Sequence, residues 1–166
     1  MKGIIIYKSK YGSTRQYAKW LQESTGFDLF EVGKEPGNLS GYDTIILGCS
    51  IVIGSLTLKN WINTNWRSIQ DKTIALMVTS AAGDIQTCEK AVTGSLFADT
   101  LDKIHTFALP GRYIVEKLTY FDGLLVKIAA KFIKDPVIKK GMVTSVDNMQ
   151  RDHLREVEQF IIMSKL

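Results

Sequence analysis

The strongest constraint on the fold is a repeated alternation between short apolar runs and longer stretches with helical periodicity. The runs are uniformly apolar rather than alternating, which indicates strands buried on both faces of a sheet. Strands that alternate with helices predict a parallel sheet covered by helices on both sides. The strand-like runs are Gly3–Tyr7, Tyr42–Gly48 and Lys72–Ser80, and the helical stretches that follow them are Thr14–Thr25, Leu58–Ile69 and Ile85–Lys103.

Two more segments complete a five-stranded α/β sheet. Phe27–Val32 alternates as an edge strand does, and His105–Leu109 forms a further strand. Five strands in such a chain predict the doubly wound order 2-1-3-4-5. Gln150–Met163 is predicted as the closing helix, with Asp147 and Gln150 as a candidate capping box. A length of 166 residues fits one domain, which we expect to span 1–166.

A segment before the closing helix interrupts the alternation. We expect a helical insertion at about 111–142, with a helix from about Glu116 to Lys134. Apolar residues form one stripe of this helix and lysines lie nearly opposite. Such a stripe packs on the protein's own core or contacts a membrane surface peripherally. The sequence leaves both interpretations open.

Composition bounds the partners and the compartment. Lys and Arg number 21 against 17 Asp and Glu, giving a net charge of +4 that allows an anionic partner. The two cysteines suggest neither a disulfide framework nor a zinc site, so we expect a reducing cytoplasm. No signal peptide or transmembrane helix is expected, and no nucleic-acid partner. The oligomeric state cannot be read from the sequence.

The junction between the first strand and the first helix has the composition of an anion site. Free backbone N–H groups and the helix dipole favour negative charge at a helix N-terminus. Ser9, Ser13 and Thr14 add hydroxyl donors, and Gly12 allows a close backbone approach or positive φ. These features predict a phosphate site. A hydroxyl-rich turn that only caps the helix is the alternative.

Two further glycine-bearing loops are expected at the same edge of the sheet. Gly48–Ser55 follows the third strand and Thr79–Asp84 follows the fourth. The carboxyl ends of neighbouring parallel strands line one crevice, although both loops also fit ordinary turns. The glycine patterns of P-loop nucleotidases and dinucleotide-binding folds are absent. Phosphoryl-receiver domains need acidic residues at the end of the first strand and an aspartate at the end of the third, whereas this chain has Tyr7-Lys8-Ser9 and Gly48-Cys49-Ser50 there.

Three stretches carry a resemblance to a known family. Ser9–Arg15 resembles the phosphate loop of flavodoxins, which grips flavin mononucleotide (FMN). Tyr42–Gly54 (YDTIILGCSIVIG) and Tyr120–Ile133 (YFDGLLVKIAAKFI) resemble a flavodoxin subgroup more narrowly. That subgroup contains the bacterial menaquinone-dependent protoporphyrinogen oxidase (protoporphyrinogen IX dehydrogenase). The resemblance covers the whole chain and implies a flavodoxin-like fold.

The resemblance also implies a cofactor, FMN, and the residues that bind it. Neither of the two loops expected around the flavin ring, Gly48–Ser55 and Thr79–Asp84, has an aromatic residue to stack on it. Trp61, Trp66 and Cys49 are expected in the core. No catalytic side chain and no metal site are expected. The phosphate is expected at Ser9, Lys10, Tyr11, Gly12, Ser13 and Thr14, and the ring between Ser50, Ile51, Val52, Ile53, Gly54 and Ser80, Ala81, Ala82, Gly83.

Three functions remain open from the sequence. The first is an FMN-binding redox protein that transfers electrons to or from a partner protein. The second is a protoporphyrinogen dehydrogenase, in which Arg112 or Lys117 meets the substrate's propionates and menaquinone accepts the electrons. The third is a flavin-free anion-binding module. The expected location is cytoplasmic, with peripheral contact at the inner face of the membrane through the 116–134 helix.

Overall fold

The computed structural model describes residues 2–81, 83–114, 123 and 144–164. Within these ranges, apolar runs form strands and amphipathic stretches form helices. The strands are β1 Gly3–Tyr7, β2 Asp28–Glu31, β3 Thr44–Val52, β4 Ser55–Leu56, β5 Thr73–Ser80, β6 Ile104–Pro110, β7 Arg112–Tyr113 and β8 Val146–Asp147. The helices are α1 Ser13–Thr25, α2 Lys59–Ile69, α3 Ile85–Thr93, α4 Ala98–Leu101, the 3-10 helix Arg151–Leu154 and α5 Arg155–Met163.

The main sheet is parallel and has the order β2-β1-β3-β5-β6. Counting these five strands along the chain gives 2-1-3-4-5, which confirms the predicted doubly wound fold. The register places Tyr7, the last residue of β1, beside Gly48 of β3. It places Ser80 and Pro110, the last residues of β5 and β6, beside each other. The loops that follow these strands therefore lie at one edge of the sheet.

Both faces of the sheet are buried because neighbouring residues of a strand point to opposite sides. Ile4 and Ile6 join the core under α2 and α3, whereas Ile5 and Tyr7 join the core under α1 and α5. Trp66 is buried in the first core and Trp61 packs against it, which confirms their predicted packing role.

The predicted loop Gly48–Ser55 is largely strand, so this prediction was wrong. β3 continues to Val52 and pairs with β4 in an antiparallel hairpin, with Val52 opposite Ser55. Only Ile53 and Gly54 form the turn. The hairpin is stabilised from outside, because the Leu56 N–H donates to Ser95 Oγ at 3.0 Å.

The predicted helix Ile85–Lys103 is two helices, which corrects the periodicity argument. α3 ends at Thr93, before Gly94, and glycine has low helix propensity. The chain then turns so that buried Ser95 binds the β3–β4 hairpin and accepts Asn63 Nδ2–H at its carbonyl, 3.2 Å away. These contacts to distant residues outweigh continuation of the helix.

The closing helix differs from its prediction at its start. A 3-10 turn, Arg151–Leu154, precedes α5, and no side chain of Gln150 caps it. The Asp147 carboxylate instead accepts hydrogen bonds from Arg112 Nε at 2.7 Å and from the Met149 N–H at 3.3 Å. The predicted capping box is therefore wrong, because Asp147 belongs to β8.

β7 and β8 pair antiparallel, with Arg112 opposite Asp147 and Tyr113 opposite Val146. This two-stranded sheet holds together the two ends of the segment predicted as an insertion. The predicted helix at 116–134 lies outside the described residues, apart from Gly123.

Candidate functional site

A crevice of about 250 Å³ opens at the carboxyl edge of the sheet. All three predicted segments meet there. Of the predicted residues that the structure describes, Gly12, Gly54 and Gly83 lie in these segments without lining the crevice; Ala82 lies outside the description. The lining residues are Ser9, Lys10, Tyr11, Ser13, Thr14, Ser50, Ile51, Val52, Ile53, Ser80 and Ala81, together with Thr79, Gly111 and Arg112, which were not predicted as cofactor ligands.

The N-terminus of α1 borders the crevice and has no side-chain cap. Gly12 occupies the cap position in the left-handed conformation, with φ of 92°, which favours glycine. The first intrahelical bond runs from the Gln16 N–H to the Gly12 carbonyl at 3.0 Å. Helix geometry therefore leaves the N–H groups of the first turn without intrahelical acceptors. Together with the helix dipole, N–H groups of this kind can hold an anion.

Ser9 holds the loop that precedes this helix. Its Oγ accepts the Gly12 N–H at 3.1 Å, which fixes the turn from Ser9 to Gly12. Accepting this bond leaves the Ser9 hydroxyl proton for another acceptor. Of the three predicted hydroxyl donors, Ser9 is the one best placed to donate to a bound anion.

The hydroxyls of Ser13 and Thr14, which we predicted as phosphate donors, have internal partners in the structure. Ser13 Oγ accepts the Arg112 N–H at 2.9 Å and lies 3.4 Å from the Arg112 carbonyl oxygen. Thr79 Oγ1 donates to the Cys49 carbonyl at 3.2 Å, so Thr14 Oγ1 donates its own proton to Thr79 across 2.9 Å. Both residues therefore join α1 to neighbouring segments, and their contribution to an anion is through backbone N–H groups.

The hairpin tip provides an apolar wall of the crevice. Ile53 and Gly54 both have positive φ, 50° and 69°, as a two-residue type I′ turn requires. Ile53 is the one described non-glycine residue with positive φ, and its side chain is 84% exposed. Asn, Asp or Gly is favoured at such a position, whereas a β-branched residue is strained there. Strained residues that persist cluster at ligand sites.

The loop after β5 packs against the end of β6. Ser80 Oγ accepts the Gly83 N–H at 2.8 Å, and the Ser80 carbonyl accepts the Gly111 N–H at 2.6 Å. The Gly83 N–H is therefore engaged within its own loop. The same contacts bring Gly111 and Arg112 into the crevice.

Charge in the crevice has one sign. The charged side chains among its described lining residues are Lys10 and Arg112, and none of these lining residues is a carboxylate. Asp147, outside the lining, binds the Arg112 guanidinium. In the sequence analysis we treated Arg112 only as a possible substrate contact. Its position directly after the last strand of the sheet could have indicated that it borders the carboxyl edge, where the crevice lies.

The Cys49 thiol does not provide a second reactive site. Burial raises the pKa of the Cys49 thiol to about 12, so it is protonated and unreactive at neutral pH. No group of three metal-binding side chains occurs among the described residues. None of the helices in the described ranges has the length and hydropathy needed to span a membrane.

Comparison with known families decides the relationship. Residues 4–139 match a family model described as a flavodoxin domain. The chain belongs to the flavodoxin domain family. This flavodoxin domain has no match among curated protein sequences.

Solved structures with a similar fold include three flavoproteins. A flavoprotein from Lactobacillus acidophilus NCFM in complex with FMN is 16% identical, covers 63% of this chain and 89% of its own, and has a TM-score of 0.48. A flavodoxin from the domain Archaea is 15% identical over 95% and 99%, with a TM-score of 0.41. A single-site mutant of flavodoxin from Pseudomonas aeruginosa is 13% identical over 87% and 100%, with a TM-score of 0.38. The family match, rather than these alignments, carries the assignment.

Proposed function

We propose that this flavodoxin domain binds FMN and transfers electrons through it. The observation that carries the proposal is the uncapped N-terminus of α1, which opens into a crevice whose charged lining residues are cations. A phosphate monoester is the ligand group that such a helix terminus binds best. Membership of the flavodoxin domain family supports FMN as the molecule that carries this phosphate.

The residues of the crevice fit both the phosphate and the ring of FMN. The first-turn N–H groups of α1 and the Ser9 hydroxyl would hold the phosphate. The pairing of β3 with β5 ends at Ser50, so Val52 and Ile53 lie beyond the paired part of β3. Both line the crevice and would cover an apolar ring. Ile53 has the exposure and the strained backbone expected of a side chain whose partner is a ligand.

FMN, when bound, supplies the electron-transfer chemistry of the site. This chain's residues bind and orient the cofactor and set the charge around it. Electron transfer needs no acid or base from the protein, and none is proposed. A redox protein is the proposed partner, and the cytoplasm is the proposed location.

Fluorescence titration tests the proposal. The expected result is quenching of FMN fluorescence with one FMN retained per chain after gel filtration. Riboflavin, which lacks the phosphate, is the matched control and should bind at least tenfold more weakly, since charged hydrogen bonds each contribute about 1.5–3 kcal/mol. Equal affinity for both flavins would contradict the phosphate site, and absence of binding to either would overturn the proposal in favour of a flavin-free anion-binding module.

A second candidate is the menaquinone-dependent oxidation of protoporphyrinogen IX. Arg112 at the crevice favours it, because a guanidinium is suited to bind a propionate carboxylate. Peripheral membrane contact through residues 116–134, which the sequence predicts to be helical, is proposed as part of this candidate. Anaerobic mixing of FMN-loaded protein with protoporphyrinogen and a menaquinone analogue should give protoporphyrin at a rate that saturates with substrate. A rate equal to that of free FMN would eliminate the candidate and leave electron transfer to a protein partner.

A further inference from the structure

We propose that Arg112 makes the crevice bind reduced flavin more tightly than oxidised flavin, and that Asp147 limits this preference. The inference rests on the FMN binding proposed above. It concerns what the charges of the crevice do to the cofactor once it is bound. Its consequence is a protein suited to accept a pair of electrons from a donor.

The physical basis is a change of charge on the flavin ring. Two electrons and one proton convert the neutral oxidised ring into a reduced ring with one negative charge. The phosphate keeps its charge throughout. The ratio of the affinities for the two redox forms therefore cancels the contribution of the phosphate and reports the electrostatics around the ring.

The crevice in which FMN is proposed to bind is lined by cations. Arg112 and Lys10 are its charged described lining residues, and carboxylates are absent from that lining. An Arg side chain remains protonated at any pH at which the protein is folded. A fixed positive charge favours the form of a neighbouring ligand that carries more negative charge, so it stabilises the reduced ring.

The position of Arg112 is fixed from both sides. Its backbone N–H donates to Ser13 Oγ at 2.9 Å, and its Nε donates to Asp147 Oδ2 at 2.7 Å. The preceding residues are anchored too, because the Tyr17 hydroxyl donates to the Pro110 carbonyl at 2.7 Å and the Gly111 N–H to the Ser80 carbonyl at 2.6 Å. The charge is therefore held at the crevice rather than on a freely moving side chain.

Asp147 opposes the effect of Arg112. Its carboxylate neutralises part of the guanidinium charge, yet Asp147 does not itself line the crevice. The two side chains are 38% and 46% exposed, so solvent screens the pair and each contribution is moderate. Removing the positive charge and removing the negative charge must then shift the affinity ratio in opposite directions. Damage to the structure would shift both variants in the same direction.

The experiment compares dissociation constants for oxidised FMN and for FMN reduced anaerobically by dithionite, which supplies both electrons while solvent supplies the proton. Arg112→Gln should reduce the preference for reduced FMN by about tenfold. A neighbouring charge shifts a pKa by about 1–3 units, and a shift of one unit, the low end of that range, corresponds to a tenfold change in affinity. For a two-electron couple this corresponds to about 30 mV. Asp147→Asn keeps a hydrogen-bond acceptor for Arg112 and should increase the preference. Arg112→Lys should return the ratio toward that of the unmodified protein.

Arg151 provides the matched control. It pairs with Glu23 at 2.9 Å, and their side chains are 51% and 57% exposed. Because this pair is not among the residues of the crevice, Arg151→Gln should leave the ratio unchanged. Riboflavin titrations of the same variants should show the same dependence as FMN, since the phosphate does not enter the ratio.

Three outcomes would overturn the inference. Equal weakening of both redox forms in Arg112→Gln would mean that Arg112 only neutralises the phosphate. Shifts of the same sign in Arg112→Gln and Asp147→Asn would indicate a structural effect of the ion pair. A chain that binds neither redox form would refute FMN binding itself, a result distinct from an unchanged ratio in a chain that binds both.

Discussion

Two helices begin at the same edge of the sheet, and their N-termini are built in opposite ways. At α3, the Asp84 carboxylate accepts the Thr87 N–H at 2.8 Å and caps the helix. Hydrogen bonds from Thr87 hold the pKa of Asp84 below its usual value, so the cap is charged at neutral pH. At α1, Gly12 supplies no cap. A capped terminus stabilises its own helix, whereas an open one retains donors for a ligand.

A comparison of two cavities shows why the size of a cavity does not identify a binding site. A second hollow of about 370 Å³ between the β2–β3 loop and α2 is larger than the crevice. Polar groups of this hollow bind each other, since Glu35 accepts the Trp61 Nε1–H at 2.6 Å and Asn38 Oδ1 accepts the Ser40 N–H at 2.8 Å. Polar groups that have protein partners offer little to a ligand. The open terminus of α1 therefore identifies the crevice more clearly than its size does.

The largest expected effect comes from giving α1 the kind of cap that α3 has. Gly12→Asp places a carboxylate where the phosphate is proposed to bind. FMN affinity should fall by at least about 100-fold, since a lost charged hydrogen bond and a like charge together cost about 3 kcal/mol or more. Fluorescence titration measures it. Gly12→Asn, which has nearly the same shape without the charge, should lose much less, and an equal loss in both variants would indicate a backbone effect at this left-handed position.

Removing the Ser9 hydroxyl should have the next largest effect. Ser9→Ala loses the bond that holds the Gly12 N–H and one donor to the phosphate. We expect about a tenfold loss of FMN affinity. This loss corresponds to about 1.5 kcal/mol, the upper end of the net contribution of a single hydrogen bond. The same titration tests it. Ser24→Ala, on the exposed end of α1, is the control and should bind FMN normally; unchanged affinity in Ser9→Ala would remove Ser9 from the site.

Removing the cap of α3 should affect stability instead of binding. Asp84→Ala should lower the free energy of unfolding by about 1 kcal/mol, the usual contribution of an N-cap. Urea denaturation followed by circular dichroism measures this change. FMN affinity should stay within twofold of the unmodified protein. A large loss of affinity with unchanged stability would mean that α3 also takes part in the site, and the contrast between the two helices would fail.

The smallest expected effect is the dependence of the α3 cap on pH. Because the pKa of Asp84 is lowered in the folded state, its charge stabilises the fold above the unfolded pKa of about 3.9. This contribution is lost as pH falls through the lower folded value. Asp84→Asn keeps an oxygen acceptor but does not titrate. The unmodified protein should therefore lose stability relative to Asp84→Asn as pH falls below about 5, through the unfolded pKa of about 3.9 and then through the lower folded pKa. A difference that stays constant with pH would contradict a charged cap.

The sequence by itself determined the strand order, the two buried faces and the position of the candidate site. These follow from local patterns, because the period of apolar residues selects strand or helix and parallel strands place their following loops at one edge. The stretch from Ser9 to Thr14 could be predicted as a candidate anion site from the sequence, because a helix N-terminus needs no distant residue to bind an anion.

Only the tertiary structure decided how the remaining polar groups are used. Thr14 donates to a residue 65 positions away and Ser13 binds one 99 positions away, so their hydroxyls could not be assigned from the loop alone. Arg112 enters the crevice because Ser80 binds Gly111, and α3 stops at Thr93 because Ser95 binds the β3–β4 hairpin. Hydrogen-bonding groups take partners that the fold brings near, and local sequence does not specify which those are.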